Sequence, residues 1–293
     1  MNNLDSGQDM SLIFRKLPPF KGKLKLARFL FAKTIKKAQD IWIKGKYGCT
    51  YLLPNLIENV SFDIYVNGIY EQDTIDFLAK RIPANGVFLD LGANIGAIST
   101  PLSRRRNDIR IVCVEASPWV FSYLEKNLAE NGLNDICKIN KALYYTDNEE
   151  MDFFSPVEKF GKGSLSPVFT TNAQKATTIK LDTLMEQLHL PKIDMIKIDV
   201  EGYEYHVFKG AEKALSGNDS PDIFFEFVDW AELQAKDVSI GDAQRILKSW
   251  GYRIYYFNEN KKIWEEANAV IVKGTFMLYA TKKNTLTKNA STR

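Results

Sequence analysis

Four apolar runs in this chain end on acidic side chains, and acids at that place in an α/β sheet meet ligands. Val87-Phe88-Leu89-Asp90-Leu91 lacks helical spacing and reads as a strand covered on both faces. Asp90 stands near its carboxyl end, the edge at which open α/β sheets bind ligands. Gly92 and Gly96 bracket a turn in which backbone can approach a ligand without a Cβ in the way, and Ala93 and Asn94 lie inside it. Ile98 and Leu102 then take up helical spacing, so the turn delivers a helix N-terminus. The second run, Ile109 to Val114, ends on Glu115, an acid placed to accept both hydroxyls of a ribose. The third, Ile193 to Ile198, ends in Asp199-Val200-Glu201-Gly202. The fourth, Ile223 to Phe227, holds Glu226 among aromatics, where a carboxylate without a partner is costly.

The turn itself selects among nucleoside cofactors. A dinucleotide turn, G-x-G-x-x-G, spans six residues and leaves room for a pyrophosphate. Gly92-x-Asn94-x-Gly96 is tighter, and the Asp90 carboxylate beside it repels phosphate. A ligand carrying a sulfonium and an ammonium group, S-adenosylmethionine, suits it better than NAD. Helix capping would explain one carboxylate near Gly202; it explains Asp199, Glu201 and Glu204 together less well. His189, in a Leu-His-Leu-Pro stretch, reads as structural or solvated. His206 is close enough to the same rim to act as a base, although a surface helix position explains it more simply. No HExxH, paired CxxC, GxSxG or Walker sequence is present.

The elements that must carry these residues alternate. A strand is expected at 60–66 with Asn67-Gly68 as its turn, then helix 71–82, strand 87–91, helix 96–105, strand 109–115, helix 118–131 and strand 136–141. Pro118 suits a first helical turn and Gly132 a C-terminal cap. Residues 143–180 are less regular and include the small-residue loop Gly161 to Ser166. Helix 182–189, strand 193–199, helix 203–216, strand 223–227, helix 240–250, strand 252–257 and a last strand, 275–280, follow. Successive βα units of this kind build one doubly wound, mostly parallel sheet.

Composition places the chain among ordinary globular proteins: 293 residues, 45% hydrophobic and 26% charged. Three cysteines, Cys49, Cys113 and Cys137, are odd in number and lack metal-ligand spacing, as expected of reduced thiols in a cytoplasmic protein. No apolar run is long enough to span a membrane, and the polar opening carries no signal peptide. The net charge of +3 conceals an asymmetry: residues 21–46 carry nine Lys/Arg against one Asp, while 47–281 sum to −9. A basic segment ahead of an acidic body is not the footprint of a nucleic-acid-binding fold. Residues 1–20 read as a disordered lead-in and 282–293 as a basic disordered tail. Between them, 21–59 is expected as a basic helical extension and 60–281 as the main domain. From Lys23 to Lys44 a single helix is expected, its stripe formed by Leu24, Ala27, Phe31, Ile35, Ala38 and Trp42. Such a stripe either docks onto the protein's own domain or rests on an anionic membrane, which would place the protein peripherally at the inner membrane face.

Residues 60–280 resemble the FkbM family of S-adenosylmethionine-dependent methyltransferases. The resemblance is carried by Asn67-Gly68-Ile69-Tyr70-Glu71, Phe88 to Gly96, Val114-Glu115-Ala116-Ser117-Pro118, Ile196 to Glu204, and Lys209-Gly210-Ala211. It implies a class I, Rossmann-like methyltransferase domain with a seven-stranded sheet, the last strand antiparallel, acting on hydroxyls of natural products or glycan sugars. In that reading Asp90, Gly92, Ala93, Asn94 and Gly96 hold the methionine end of the cofactor, Asp90 near its ammonium group. Glu115 takes the ribose, Ala116 and Ser117 border the adenine, and Asp199 touches both cofactor and acceptor. A sugar hydroxyl needs a base: Asp199 stands first, Glu201 and Glu226 next. The same three acids have the oxygen chemistry for Mg²⁺, but no metal is assigned. Tyr70, Glu71, Ser164, Glu204 and His206 are candidates for the acceptor side. The alternatives are a nicotinamide-dependent dehydrogenase on the same sheet and a non-catalytic binding module of methyltransferase-like fold.

Overall fold

The computed structural model describes residues 5–18 and 20–283. The expected lead-in is not disordered over most of its length: α1 spans Asp5–Lys16. Phe14 packs edge-on against Phe31 with ring centroids 5.3 Å apart, and Arg15 donates to the carbonyl of Tyr65 at 3.1 Å. Residues 284–293, nearly all of the expected tail, lie outside the described residues. Lys282 does not belong to a free tail, since its ammonium donates to the carbonyls of Leu215, Ser216 and Gly217 at 2.7–2.9 Å.

The single helix expected from Lys23 to Lys44 is three elements. α2 (Lys23–Leu30) and α3 (Ala32–Lys37) are separated at Phe31, and β1 (Gln39–Lys44) follows. Ala38 is already extended, and Ile41 and Ile43 face inward while Trp42 faces out, a strand alternation. β1 pairs antiparallel with β2 (Thr50–Asn55), Ile41 opposite Leu53 and Ile43 opposite Tyr51. The strand expected at 60–66 is also corrected: α4 (Asn59–Asn67) takes its place. Its apparent alternation was coincidental, because Ser61 and Tyr65 are as buried as Phe62 and Ile64. Glu58 caps it by accepting from the Asn59 N–H, and Gly68, at φ 74°, closes it as a left-handed C-terminal cap where a hairpin turn was expected.

Next come α5 (Gln72–Arg81), β3 (Val87–Leu91), α6 (Ser99–Arg105), β4 (Arg110–Val114), α7 (Pro118–Glu130) and β5 (Cys137–Ile139). The irregular region resolves into β6 (Ala142–Leu143), β7 (Glu150–Phe154) and β8 (Ala173–Ile179), a three-stranded sheet of their own. The chain continues through α8 (Leu181–Gln187), β9 (Met195–Ile198), α9 (Glu204–Lys209), α10 (Glu212–Ser216), β10 (Asp222–Val228) and α11 (Asp229–Glu232). It closes with α12 (Asp242–Ser249), β11 (Arg253–Asn258), β12 (Ile263–Glu266) and β13 (Thr275–Thr281). Asn127 of α7 and Asn131 at its C-cap staple the N-terminal hairpin to the body: Leu52 N–H donates to Asn127 Oδ1 at 2.6 Å and Thr50 N–H to Asn131 Oδ1 at 2.9 Å.

The main sheet has eight strands, not seven, in the order β12-β11-β13-β10-β9-β3-β4-β5. β12 is the addition at one edge. β13 runs antiparallel to β10 and β11, and β12 antiparallel to β11, whereas β9, β3, β4 and β5 run parallel to β10. This is a mostly parallel, doubly wound sheet, as the resemblance to class I methyltransferases implied. The winding reverses between β3 and β9, and a crevice at the carboxyl ends of those two strands is where such sheets bind ligands. No helix among the described residues is long and apolar enough to cross a membrane. The three cysteines are free thiols.

Candidate active site

β3 and β9 end so close together that a side chain at the turn would not fit. Gly92 adopts φ 79°, and a Cβ there would lie 1.9 Å from the Asp199 carbonyl oxygen. The backbone N–H groups of Gly92 and Ala93 both donate to the Val114 carbonyl at 2.9 Å, which ties the turn to β4. Asn94, at φ 52°, aims its N–H at Glu115 Oε2, 2.9 Å away, while Glu115 Oε1 accepts the Ser117 N–H at 2.9 Å. Burial pushes the Glu115 carboxyl up to about 7 against the pull of those two N–H groups. A carboxylate has roughly four lone-pair directions, so two remain for hydroxyls. One cavity is lined by Gly92, Asn94, Glu115 and Ala116 with Val114, Ala142, Leu143, Phe153 and Tyr203. An acid flanked by apolar walls matches a ribose and its base, so the donor set fits S-adenosylmethionine.

A second cavity adjoins it, lined by Glu58, Tyr70, Ala93, Lys162, Lys197 and Glu226 among others. Gly92, Asn94, Gly161, Asp199 and Glu201 line both. Asp199, Glu201 and Glu226 each bring one carboxylate oxygen to within 4.8 Å of the others at this junction. Burial first, then Asp199, raises Glu201 to about 7, and burial with Asp199 and Glu201 raises Glu226 well above the ordinary carboxylate range. The buried Oε2 atoms of Glu201 and Glu226 have no hydrogen-bond partner among the described residues. Two lysines supply the countercharge: Lys162 Nζ lies 2.8 Å from Glu201 Oε1, and Lys197 Nζ lies 3.5 Å from Asp199 Oδ2. The trio could also hold a hard cation by its oxygens, with each lysine paired to one of its members. Three non-glycine residues of this region sit in the left-handed region, Asn94, Glu201 and Glu71 at φ 52°, 51° and 42°, the clustering of backbone strain common at functional sites.

Several of the expected residues line neither cavity. Asp90 is fully buried behind the turn and lines neither cavity. It accepts from Ser99 Oγ at 2.6 Å and lies 3.6 Å from Lys197 Nζ, so it positions that lysine and the start of α6. Gly96 likewise lines neither cavity, and Ser117 is the buried N-cap of α7. On the acceptor side Tyr70 lines the second cavity, while Glu71 supports it from behind by a hydrogen bond and bonds Thr74. Ser164 Oγ is buried and holds the Glu201 carbonyl at 3.1 Å. Glu204 is buried, accepts the Val200 N–H at 3.1 Å, and is pushed up to about 8, mainly by burial. His206 is neither rim base nor surface residue: it stacks on Tyr144 with centroids 5.0 Å apart, and burial and Lys209 push it down to about 4.

The sequence reading missed Lys197, Lys162 and Glu58. A lysine between isoleucines in a doubly covered strand was a signal for the first, since a buried ammonium demands acids around it. Lys162 and Glu58 come from a loop and a helix cap, joined when the Gly161 N–H reaches Glu58 Oε2 at 3.3 Å; nothing local marks them.

A family model described as a methyltransferase FkbM domain matches residues 90–254. The chain is similar to the hexuronic acid methyltransferase AglP of Haloferax volcanii, 29% identical over 145 residues, 50% of this chain and 58% of that protein. It is also similar to the methyltransferase sdnD of Sordaria araneosa, 28% identical over 166 residues, 45% of this chain and 63% of that protein. The match thus spans less than two thirds of either relative. Among solved structures, an S-adenosylmethionine-dependent O-methyltransferase of Thermotoga maritima shares 15% identity at a TM-score of 0.42, over 86% of this chain and 80% of that one.

Proposed function

Because the chain belongs to the FkbM family of S-adenosylmethionine-dependent methyltransferases, with S-adenosylmethionine as its cofactor, we propose that it methylates a hydroxyl oxygen of a glycan sugar, a uronic acid or its neighbour. Family membership removes the nicotinamide alternative. The observation that carries the hydroxyl assignment is Glu201: buried, strained, shared by both cavities, with an unpartnered Oε2. A carboxylate acceptor would arrive already anionic and meet three acids, whereas a hydroxyl must lose a proton and benefits from a base near neutrality.

In this reading Glu115 and the Asn94 turn hold the cofactor's ribose and methionine end. The bound cofactor supplies a methyl on a sulfonium, which is already a good leaving group. What remains for the protein is alignment and a proton. Gly92, Asn94 and Asp199, at the wall between the cavities, fix the direction of approach. The Glu201 carboxylate accepts the hydroxyl proton. It fits that role better than Asp199 because it is the more deeply buried, 7% of its side chain being exposed against 32% for Asp199, and burial raises its affinity for a proton. Burial together with Asp199 and Glu201 raises Glu226 well above the ordinary carboxylate range, which favours its neutral form and eases the crowding of charge in the trio. Lys162 offers a cation for an acidic sugar, the class of acceptor named for AglP.

The test is incubation with S-adenosylmethionine and a panel of oligosaccharides ending in hexuronic acids or neutral sugars, read by mass and by NMR of the new methyl. A single methyl ether on a sugar hydroxyl is expected. A methyl ester, or a methyl on nitrogen, would overturn the assignment.

A further inference from the structure

The N-terminal layer turns its apolar side chains outward. In α2 the inward positions are Lys23 and Ala27, while Leu24, Leu26, Phe29 and Leu30 face solvent, Phe29 at 79% exposure. A helix docked on a soluble body shows the reverse pattern. Lys23 reaches the Leu17 carbonyl at 3.0 Å, so this inversion is fixed by a bond. Trp42 of β1 is exposed as well, where Ile41 and Ile43 point inward. Of sixteen exposed large apolar side chains among the described residues, ten fall between Leu12 and Tyr47. A contiguous sequence segment with that much exposed apolar surface marks an interaction face.

Its charge identifies the occupant. Exposed lysines, Lys25, Lys33, Lys36 and Lys37, stand among these apolar residues, and residues 21–46 carry +8 against −9 for 47–281. An anionic surface therefore attracts this face and repels the rest of the body, which orients the protein. Apolar side chains that insert among lysines whose heads stay in the polar layer are the chemistry of an interfacial contact. We infer that the 12–47 face docks on an anionic lipid bilayer. Leu17, Phe20 and Leu24 also border a groove that runs to Glu71 and Asp73, and Glu71 holds Tyr70 of the second cavity. Resting on the proposed function, docking thus sets the Tyr70–Glu71 wall of the second cavity on the side of the groove that faces the bilayer.

The test is sedimentation of the full chain with vesicles of phosphatidylcholine alone and of phosphatidylcholine with about one part in four phosphatidylglycerol. Binding about tenfold stronger to the anionic vesicles is expected, weakening as salt rises. Phe29→Ser and the triple change Lys33→Ser, Lys36→Ser, Lys37→Ser should each reduce binding several-fold while far-UV melting and methylation of a soluble acceptor stay unchanged. Absence of binding to anionic vesicles, or binding indifferent to both variants, overturns the inference. So does a solution dimer that Phe29→Ser dissociates, because a second copy would then cover the face. Vesicle binding is read without methyl transfer, so its failure and failure of the proposed function are distinguishable.

Discussion

Lys197→Met should destabilise the protein in a way that depends on pH. Lys197 is buried at the ends of β3 and β9, 3.6 Å from Asp90 and 3.5 Å from Asp199, and donates to the Gly92 carbonyl at 3.1 Å. Met keeps the length and the apolar stem but leaves Asp90 buried without its counter-ion. Breaking one side of a buried pair costs about 3–5 kcal/mol. At about 2 °C per kcal/mol for a chain of this size, the melting temperature should fall by roughly 6–10 °C. Burial already raises the Asp90 pKa, with Lys197 opposing that shift, so the variant raises it further. A carboxyl whose folded pKa lies above its unfolded value near 3.9 costs nothing below that pH and destabilises as pH rises through the folded value. The deficit should therefore be smallest at the acid end, where Asp90 is protonated in both proteins, and grow as pH rises through the variant's further raised pKa. Urea melts of wild type, Lys197→Met, Asp90→Asn and the double variant from pH 4 to 8 measure this. The double variant should recover most of the loss. A deficit below about 1 kcal/mol, a deficit independent of pH, or no rescue by Asp90→Asn would refute the reasoning.

Glu115→Ala should weaken S-adenosylmethionine binding about 10²-fold by calorimetry, the loss of two hydrogen bonds to a charged acceptor, with Glu115→Gln intermediate. His206 should contribute to acid destabilisation. Its folded pKa is lowered to about 4, so its stabilising effect is complete above the unfolded value near 6.5 and is lost as pH falls from there toward 4, in total about 3 kcal/mol. His206→Phe should flatten the stability profile across that interval.

The cofactor end of the site was legible because sheet geometry converts sequence order into position. Asp90, Glu115, Asp199 and Glu226 each stand at or near the carboxyl end of a strand, and parallel strands deliver those ends to one rim. Depth was not legible in the same way. Asp90 and Asp199 occupy similar places in their motifs, yet one is sealed behind a turn and the other lines both cavities. The difference lies in how Gly92 crosses the Asp199 carbonyl. Glu204, Ser164 and His206 carried reactive side chains toward the rim in sequence, but local packing turned them to a backbone N–H, a carbonyl and a tyrosine cluster. The errors at 23–44 and 60–66 share a cause: a pattern of apolar residues fixes a period only when one face is exposed. In α4 nearly every position is buried, and in the N-terminal layer the apolar face is partly the outer one.

The central claim is that a carboxylate at the junction of the two cavities takes the acceptor's proton. It is tested most directly by the pH dependence of single-turnover methyl transfer to a hydroxyl acceptor in wild type and Glu201→Gln, with cofactor affinity measured in parallel. Wild type should gain rate as pH rises through about 7, where Glu201 loses its proton. Glu201→Gln should lose about 10²–10⁴ in rate and with it that rise, while binding S-adenosylmethionine as wild type does. A variant that keeps the wild-type rate, or keeps the same rise with pH, would contradict the account.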